Sequence, residues 1–560
     1  MKLSDFLFQE LYRITKTPKI FGYIGGMIAH LVDSLYLNED YELVNSINEQ
    51  GAGFAAEGYA RASGKIGIAM ATSGPGATNL VTPIADCFFD SIPVLFITGQ
   101  VNTYEYKKFN IKQCGFQETD IVDIVRPITK YAKTITNPKD IKYELQKAIH
   151  LALSGRKGPV LLDIPMDIQR AEIDENTLEE YGLLNIQEEF VFDFKILENA
   201  KKPLVLVGNG VGLSNAREKL QKFLTKYNIP AVYSLLGVDG LLDDYEYNMG
   251  LIGTYGNRFG NLAFYSSDLL LVLGARLDIR QTGSNFQFMK DKTIVQVDID
   301  ERELNCSKFN KIKVKADISN FLSELEKNDL NINIKQWQEN CLLLKDKFSN
   351  ENKQYKLPNH ILTEIFKILP EETVITSDVG QNQMWAAQSA VIKNKQRFLT
   401  SGGLGSMGFA LPTAIGAAFV SNCVCSITGD GGFQMNIQEL EVLKRRNLPI
   451  KIIVLNNKNL GMVRTFQDLY FDGRRASTVV DYSVPDFSQI ANAYGIKSKT
   501  VDAKNFNIVD VIDNLLSNEP FVLNIEMELE TQVEPRLLFG NSIENAHPIL
   551  AQEEIRMFLN

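Results

Sequence analysis

Apolar runs rich in β-branched residues recur along this chain, and many end in glycine or an acidic or amide residue. Tyr41 to Ile47, Ile66 to Thr72, Val94 to Thr98 and Val160 to Ile164 are four of them. Leu204 to Val207, Leu269 to Leu273, Ile294 to Val297, Ser426 to Thr428 and Ile450 to Leu455 are five more. Short runs of this kind predict buried parallel strands. Phe21 to Gly26 reads as a strand-to-helix turn, Phe54 to Ala62 as a helix, and Ser73 to Asn79 as the opening of another. Ile437, Leu440 and Leu443 stand at helical spacing, so Phe433 to Leu448 predicts one crossover helix. Strands alternating with helices predict an α/β architecture of doubly wound parallel sheets covered on both faces.

The pattern divides the chain. Residues 1–170 form a first region, 190–330 a second and 358–535 a third, with an irregular tail at 536–560 that closes in a short helix. The acidic stretch 171–195 reads as a linker, and the charged, helically periodic stretch 318–357 as a connector. The first and third regions look like one architecture used twice. A length of 560 residues agrees with three domains or so.

Charge then removes some function classes. The balance of 58 basic and 68 acidic residues, net −10, comes without a long basic run and argues against nucleic acid as the main partner. Cys87, Cys114, Cys306, Cys341, Cys423 and Cys425 lack paired metal spacing, and a reducing cytoplasm fits them. Asp5 and Glu10 argue against a signal peptide. Phe398 to Thr428 carries no charge and is long enough to span a membrane, but its glycines and Pro412 break it into loop and helix. No membrane partner is expected.

The chemistry centres on Gly429-Asp430-Gly431 and Asn456-Asn457, each at the end of a predicted strand. Open α/β sheets bind ligands at such ends. Asp430 offers a carboxylate and Asn457 a side-chain carbonyl, while the flanking glycines let backbone approach a ligand. Hard oxygen ligands with room for phosphate oxygens suit Mg2+ on a diphosphate. A plain turn and strand end is the bland alternative. Glu49 also ends a strand and points over a sheet edge; capping the next helix is its bland alternative.

The two-part motif resembles the fingerprint of thiamin diphosphate (ThDP) enzymes. Asn48 to Ala52, Ala71 to Asn79, Gly115 to Glu118, Gly274 to Arg276, Gly405 to Phe409 and Asn456 to Val463 resemble the acetohydroxyacid (acetolactate) synthase large subunit, in order and across nearly the whole chain. The resemblance implies a pyrimidine-binding domain, a central FAD-binding-type domain and a diphosphate-binding domain. It implies ThDP, Mg2+ and FAD as cofactors, and Asp430, Asn457 and the backbone carbonyl of Asn459 as metal ligands. Glu49 would hydrogen-bond N1′ of the aminopyrimidine, share a proton with it, and so activate the thiazolium C2. A carboxyl group in an apolar pocket keeps a proton more readily.

Gly380, Gln381 and Asn382 would sit on the diphosphate, with Asn382 where the family usually has His. Gly405, Gly429, Gly431, Gly432, Gly461 and Met462 are further expected cofactor contacts. Met407 matches the apolar wedge that bends the cofactor, a role compatible with a plain core methionine. Pro75, Gly76 and Asn79 would lie near the pyrimidine, and Phe116 and Gln117 beside substrate and flavin. Arg156, Gly208, Asn209, Gly210, Gly253, Arg276, Asp278, Arg280, Asp298 and Asp300 fall on the family's FAD positions. Arg276 is also a candidate for a substrate carboxylate, since a guanidinium grips one with two bonds; a strand-end surface residue is its bland alternative.

The resemblance implies an active site shared between two chains of a homodimer or tetramer, a possible small regulatory subunit, and 2-keto acid substrates. It implies the pyruvate decarboxylation and carboligation used in branched-chain amino acid biosynthesis. Phe466 stands where the family has a Trp that favours 2-ketobutyrate, so the acceptor pocket should differ. Tyr23-Ile24-Gly25 and Gly115 also depart from the family pattern. The tail from Asn545 to Glu554 is unlike the usual end and points toward the alternative of a carboligase acting on another carbonyl, such as a nucleotide-linked keto-sugar. A plain decarboxylase would use adjacent histidines, and His30, His150, His360 and His547 are never adjacent.

Overall fold

The computed structural model describes residues 1–106, 111–182, 190–306, 309–349, 357–551 and 553–555. Three six-stranded sheets organise it, and every paired strand in them is parallel. The first holds β1 (Lys19–Tyr23), β2 (Glu42–Asn45), β3 (Gly67–Ala71), β4 (Val94–Gln100), β5 (Tyr131–Thr134) and β6 (Val160–Pro165). The second holds β7 (Pro203–Val207), β8 (Ala231–Tyr233), β9 (Asn248–Leu251), β10 (Leu269–Leu273), β11 (Thr293–Asp298) and β12 (Ile312–Lys315). The third holds β13 (Val374–Ser377), β14 (Arg397–Thr400), β15 (Val424–Gly429), β16 (Ile450–Asn456), β17 (Lys497–Asp502) and β18 (Phe521–Glu526).

The first sheet runs β2-β1-β3-β4-β6-β5 and the third β14-β13-β15-β16-β18-β17, which is the same order counted within each domain. The middle sheet runs β12-β11-β10-β7-β8-β9. In such sheets a crevice opens where the strand order reverses. The reversal lies between β1 and β3 in the first sheet, β10 and β7 in the second, and β13 and β15 in the third. Each site built below stands at one of these three crevices.

Several elements differ from the sequence reading. The crossover after β15 is not one helix. It is broken into Asp430–Met435, a turn at Ile437–Glu439, and Leu440–Arg445. The break is Asn436, at φ −131° and ψ 28°, whose Nδ2 donates to Gly408 O at 2.8 Å instead of continuing the helix. The helix expected from Phe54 begins at Glu49, because the Asn48 side chain caps it by accepting from Gln50 N. The edge strands β5 and β17 are half-buried and largely polar, so no apolar run announced them.

The uncharged stretch from Phe398 resolves into β14, a glycine-rich loop, the buried helix Ala410–Ala417 and β15. Among the described residues, no helix is long and apolar enough to cross a membrane. Part of the expected linker (183–189), part of the connector (350–356) and most of the expected final helix (556–560) lie outside the described residues.

The outer domains pack on each other directly. Helix Glu49–Ser63 lies against helix Ala410–Ala417. A Cβ added at Gly416 would stand 1.8 Å from Ala55 O, and one added at Gly58 would stand 2.1 Å from Thr413 O. One buried apolar cluster therefore continues from Phe21, Ala55 and Ile84 to Leu411, Ile415 and Phe433.

Candidate active site

The third sheet supplies a nest of oxygen atoms. Asp430 opens its helix directly after β15, and it is 3% exposed. Its Oδ1 accepts from Gly431 N at 2.8 Å, while its Oδ2 is buried beside the Tyr482 hydroxyl and makes no hydrogen bond of normal geometry among the described residues. Burial pushes this carboxyl up to about 7, against the opposing pull of the Gly431, Asn459 and Lys458 amides. Asn457 and Asn459 follow β16 and are also buried. Asn457 Nδ2 donates to Gln381 Oε1 at 2.9 Å, which fixes the amide and leaves its oxygen turned the other way. Asn459 Nδ2 donates to Asn457 O at 2.6 Å and Leu529 O at 3.1 Å, and its Oδ1 is a second buried oxygen without a partner. The Asn459 backbone carbonyl accepts from Gly461 N at 3.0 Å and keeps one lone pair free.

Buried oxygens without partners cost free energy unless something else satisfies them. A hard divalent cation fits this set. The structure brings Asp430, Asn457 and Asn459 together, and Gln381, expected on the diphosphate, is bonded to Asn457 beside them.

Several glycines around the nest leave no room for a side chain. A Cβ at Gly461 would stand 2.0 Å from Gln381 Oε1, and one at Gly432 would stand 2.3 Å from Asp378 Oδ1. Gly380 sits at φ +150°, with Asn382 Oδ1 2.6 Å from where a Cβ would be. Gly429 faces the same Asn382 oxygen. Met407 reaches over Gly431, its Cε 3.2 Å from a would-be Cβ there. Gly405, at φ +77°, has open space around it.

The sequence reading missed Asp378. It is buried and accepts from Val379 N, Gly408 N and Ala410 N, each at 2.9 Å, so it ties the Met407 loop to the end of β13. Burial pushes it up to about 6. An acid directly after the strand-like Val374 to Ser377 was the available signal.

The first sheet supplies an isolated acid. Glu49 is 8% exposed, in the first turn of its helix. Asn79 Nδ2 donates to its Oε2 at 2.9 Å. A Cβ at Gly76 would stand 3.1 Å from its Oε1, so glycine there leaves that oxygen uncovered. Pro75 starts the short helix Pro75–Asn79, after Gly74 at φ +63°. Gln117, at φ +65°, packs against Gly74. Its neighbour Phe116 is 78% exposed. Their loop is held by Glu118, whose Oε2 accepts from Cys114 N at 2.7 Å and Gly115 N at 3.3 Å.

The middle sheet carries a cavity of about 400 Å3 at the carboxyl ends of β7 and β10. Arg156, Asn209, Gly210, Arg276, Asp278, Arg280 and Asp298 line it, with Leu235, Leu236, Ile252 and Met384 as apolar wall. It extends to Met462, beside the oxygen nest. Gly208 and Gly253 do not line it. They are packing positions, since a Cβ would stand 2.2 Å from Gly274 O and 2.1 Å from Arg280 O respectively.

Asp300 does not line it either. Its carboxylate caps the following helix at Arg302 N, 2.9 Å away, and pairs with Arg302 and Arg156. Glu303 lines the cavity in its place and holds Arg156 at 2.8 Å. Burial pushes Asp298 up to about 6. Arg276 is partly exposed and lies 3.6 Å from Asp278. Phe466 is 53% exposed, with its ring 4.7 Å from that of Tyr470.

Comparison with known proteins agrees with this geometry. Three family models match: the N-terminal TPP binding domain of thiamine pyrophosphate enzymes at residues 1–124, their central domain at 194–325, and their C-terminal TPP binding domain at 378–525. The acetolactate synthase isozyme 2 large subunit of Escherichia coli (strain K12) is 38% identical over 539 residues, 93% of this chain and 95% of that protein. The acetolactate synthase large subunit of Lactococcus lactis subsp. lactis (strain IL1403) is 35% identical over 534 residues, 93% and 92% of the two chains. The probable acetolactate synthase large subunit of Methanocaldococcus jannaschii is 35% identical over 572, covering 96% and 94%.

Proposed function

As a member of the acetolactate synthase large-subunit family, this chain is a ThDP-dependent enzyme that decarboxylates pyruvate and ligates the remaining two-carbon unit, and we propose that its acceptor is a second pyruvate, giving 2-acetolactate. One observation carries the assignment of roles: the buried Oδ2 of Asp430 makes no hydrogen bond of normal geometry among the described residues, inside a cluster of amide oxygens at a sheet crevice. Asp430, Asn457 and Asn459 would hold Mg2+, and the Mg2+ would hold the cofactor diphosphate over Gly380, Gln381 and Asn382. When bound, ThDP supplies an electron sink for the carbon left by CO2.

The chain's own residues do the rest. Glu49 would share a proton with the pyrimidine N1′, and Asn79, bonded to its Oε2, leaves Oε1 as the oxygen free to do so. Met407, beside Gly431, would offer an apolar surface to the cofactor. Arg276 offers a guanidinium to a keto-acid carboxylate. The cavity at β7 and β10 combines Arg156, Arg276 and Arg280 with apolar walls, which suits FAD as an extended anionic ligand with an apolar ring system.

Glu49 makes its contacts with Asn79 and Gly76 of its own domain, and Asp430 makes its contacts around the third sheet. We read the site as shared between two chains, the acid of one completing the metal end of the other in a homodimer or tetramer. A small regulatory subunit and a cytoplasmic location belong to the same reading, as do the domain limits at 1–170, 190–330 and 358–535.

One observation favours a second acceptor class. Arg536, in the tail, is 8% exposed, and its Nε and Nη1 are buried without an acceptor among the described residues. A phosphorylated acceptor such as a nucleotide-linked keto-sugar would supply one. Incubation with ThDP, Mg2+, FAD and pyruvate separates the two readings. Acetolactate formation supports the first. Release of CO2 without acetolactate, diverted into ligation by a sugar ketone, sinks it in favour of the second.

A further inference from the structure

Glu439 has no part in the reaction described above, yet it is among the most completely buried acids in the chain, at 0% exposure. It lies on the third domain, in the turn Ile437–Glu439 that interrupts the crossover after Asp430. Its side chain leaves that domain. Oε1 accepts from Ile47 N and Asn48 N, each at 3.1 Å, the two amides immediately before Glu49. Gly51 makes room for it, since a Cβ there would stand 2.5 Å from the same oxygen. The neighbouring residues extend the grip along the edge strand β2. Arg446 bonds Glu42 and, at 3.1 Å, Leu43 O, and Arg445 bonds Asn45 O. Beside them Asn436 Nδ2 meets Gln50 Oε1 at 3.4 Å. The strand, the turn and the first helical residues around Glu49 are thus held from the domain that carries Asp430, not only from their own.

The two amides matter because of where they are. Asn48 is the helix cap, and Ile47 and Asn48 are the last residues before the chain turns into the helix. Buried N–H groups there need an acceptor. A carboxylate oxygen taking both fixes the direction in which the helix leaves the sheet, and so the direction in which Glu49 points. We propose that Glu439 is a positioning residue for Glu49, a clamp reaching across the domain boundary that holds the activating carboxylate at its working angle. The proposal rests on the activating role of Glu49.

The test uses the holoenzyme with ThDP and Mg2+. The rate of hydrogen–deuterium exchange at the cofactor's thiazolium C2, read by NMR after rapid quenching, reports what Glu49 does without requiring turnover. Glu439→Ala removes the acceptor, and Gly51→Ala pushes it aside from the opposite partner. Each is expected to slow exchange roughly 10- to 100-fold, the scale of a displacement near 1 Å at a catalytic group. ThDP affinity should stay close to wild type, because the oxygen nest is untouched, while the melting temperature falls only by what the two disturbed amides cost. Glu439→Gln keeps a carbonyl oxygen for both amides and should restore most of the rate.

Unchanged exchange in Glu439→Ala overturns the proposal. So does a slowing that merely follows lost ThDP affinity and lost thermal stability, which would make Glu439 structural only. Glu49→Gln, run alongside, separates the two ideas: if that variant also exchanges at the wild-type rate, the activating role of Glu49 is what has failed.

Discussion

Gln381 and Asn457 hold each other by a single bond, Asn457 Nδ2 to Gln381 Oε1 at 2.9 Å. Gln381 follows β13 and Asn457 follows β16, on either side of β15, which carries Asp430. The bond fixes the Asn457 amide nitrogen and so which end of the amide is left free. Gln381→Leu removes it and frees the amide to rotate. Loss of such an outer support costs roughly 10- to 100-fold in metal affinity. A Mg2+ titration at fixed ThDP, followed by intrinsic fluorescence, should show half-saturation rising by that much. An unmoved midpoint would mean that Asn457 is held by something else.

Glu49 and Asn79 should differ in how much they matter. Glu49→Gln keeps size and removes the exchangeable carboxyl proton, and kcat should fall by about 100- to 10,000-fold, the usual range for a positioned acid or base. Asn79→Ala removes only the bond to Oε2 and should cost about tenfold, since a net hydrogen bond to a charged group is worth about 1.5 kcal/mol or more. Steady-state kinetics with pyruvate measure both. Equal losses would contradict a supporting role for Asn79.

Phe466 is half exposed and leans on Tyr470 rather than being locked in a core. Phe466→Trp should therefore be accommodated without unfolding. It should raise the preference for 2-ketobutyrate over pyruvate as acceptor by about tenfold, within the 1–3 kcal/mol that one packing change contributes to selectivity. Competition between the two keto acids, with both products quantified, gives the ratio. A ratio that does not change removes Phe466 from the acceptor pocket.

Asp163 gives a pH dependence that does not involve the cofactor. It lies in β6 and accepts from Thr98 at 2.7 Å, Gln100 at 3.2 Å and Thr134 at 3.1 Å. Burial nevertheless pushes it up to about 7, with those three bonds pulling the other way. An unfolded aspartate titrates near pH 4, at about 3.9. Between those values the folded chain keeps a proton that the unfolded chain has lost, so this group's contribution is full at low pH and declines as pH rises through about 7. Asp163→Asn destabilises at every pH, because its amide nitrogen faces donors. The gap to wild type should nevertheless narrow from pH ~5 to pH ~8 by roughly 2–4 kcal/mol, read from urea midpoints. A constant gap would mean that Asp163 stays ionised throughout.

The parts of the molecule that the sequence declared were those where local chemistry and tertiary place coincide. Asp430 and Asn457 sit at ends of strongly apolar strands, and both strand and candidate ligand were visible together. Glu49 was visible as an acid at a strand end, but not as part of the helix, because a Gly- and Ala-rich segment from Gly51 to Ala56 has a weak apolar period. Asp300 and Asp298 looked alike in sequence. Only the structure shows that one is used as a helix cap while the other lines the cavity. Asp378 stood in view as an acid after a strand, but its tie to Gly408 and Ala410, like that of Glu439 to Ile47 and Asn48, could not be read locally because those partners lie 30 or more positions away in the chain. β17 carried no apolar run, since as an edge strand it buries neither face fully.

Backbone meets backbone where Gly58 faces Thr413 O and where Gly416 faces Ala55 O, with no room for a side chain at either point. That seam leaves the outer pair of domains without a hinge. Any movement that accompanies entry of pyruvate and release of a larger product is then expected in the central domain, or in the helix Gly461–Tyr470 and the segment after it. Mutations that tune turnover without touching the chemistry belong there, and substitutions along the seam should either be silent or abolish folding, with little in between.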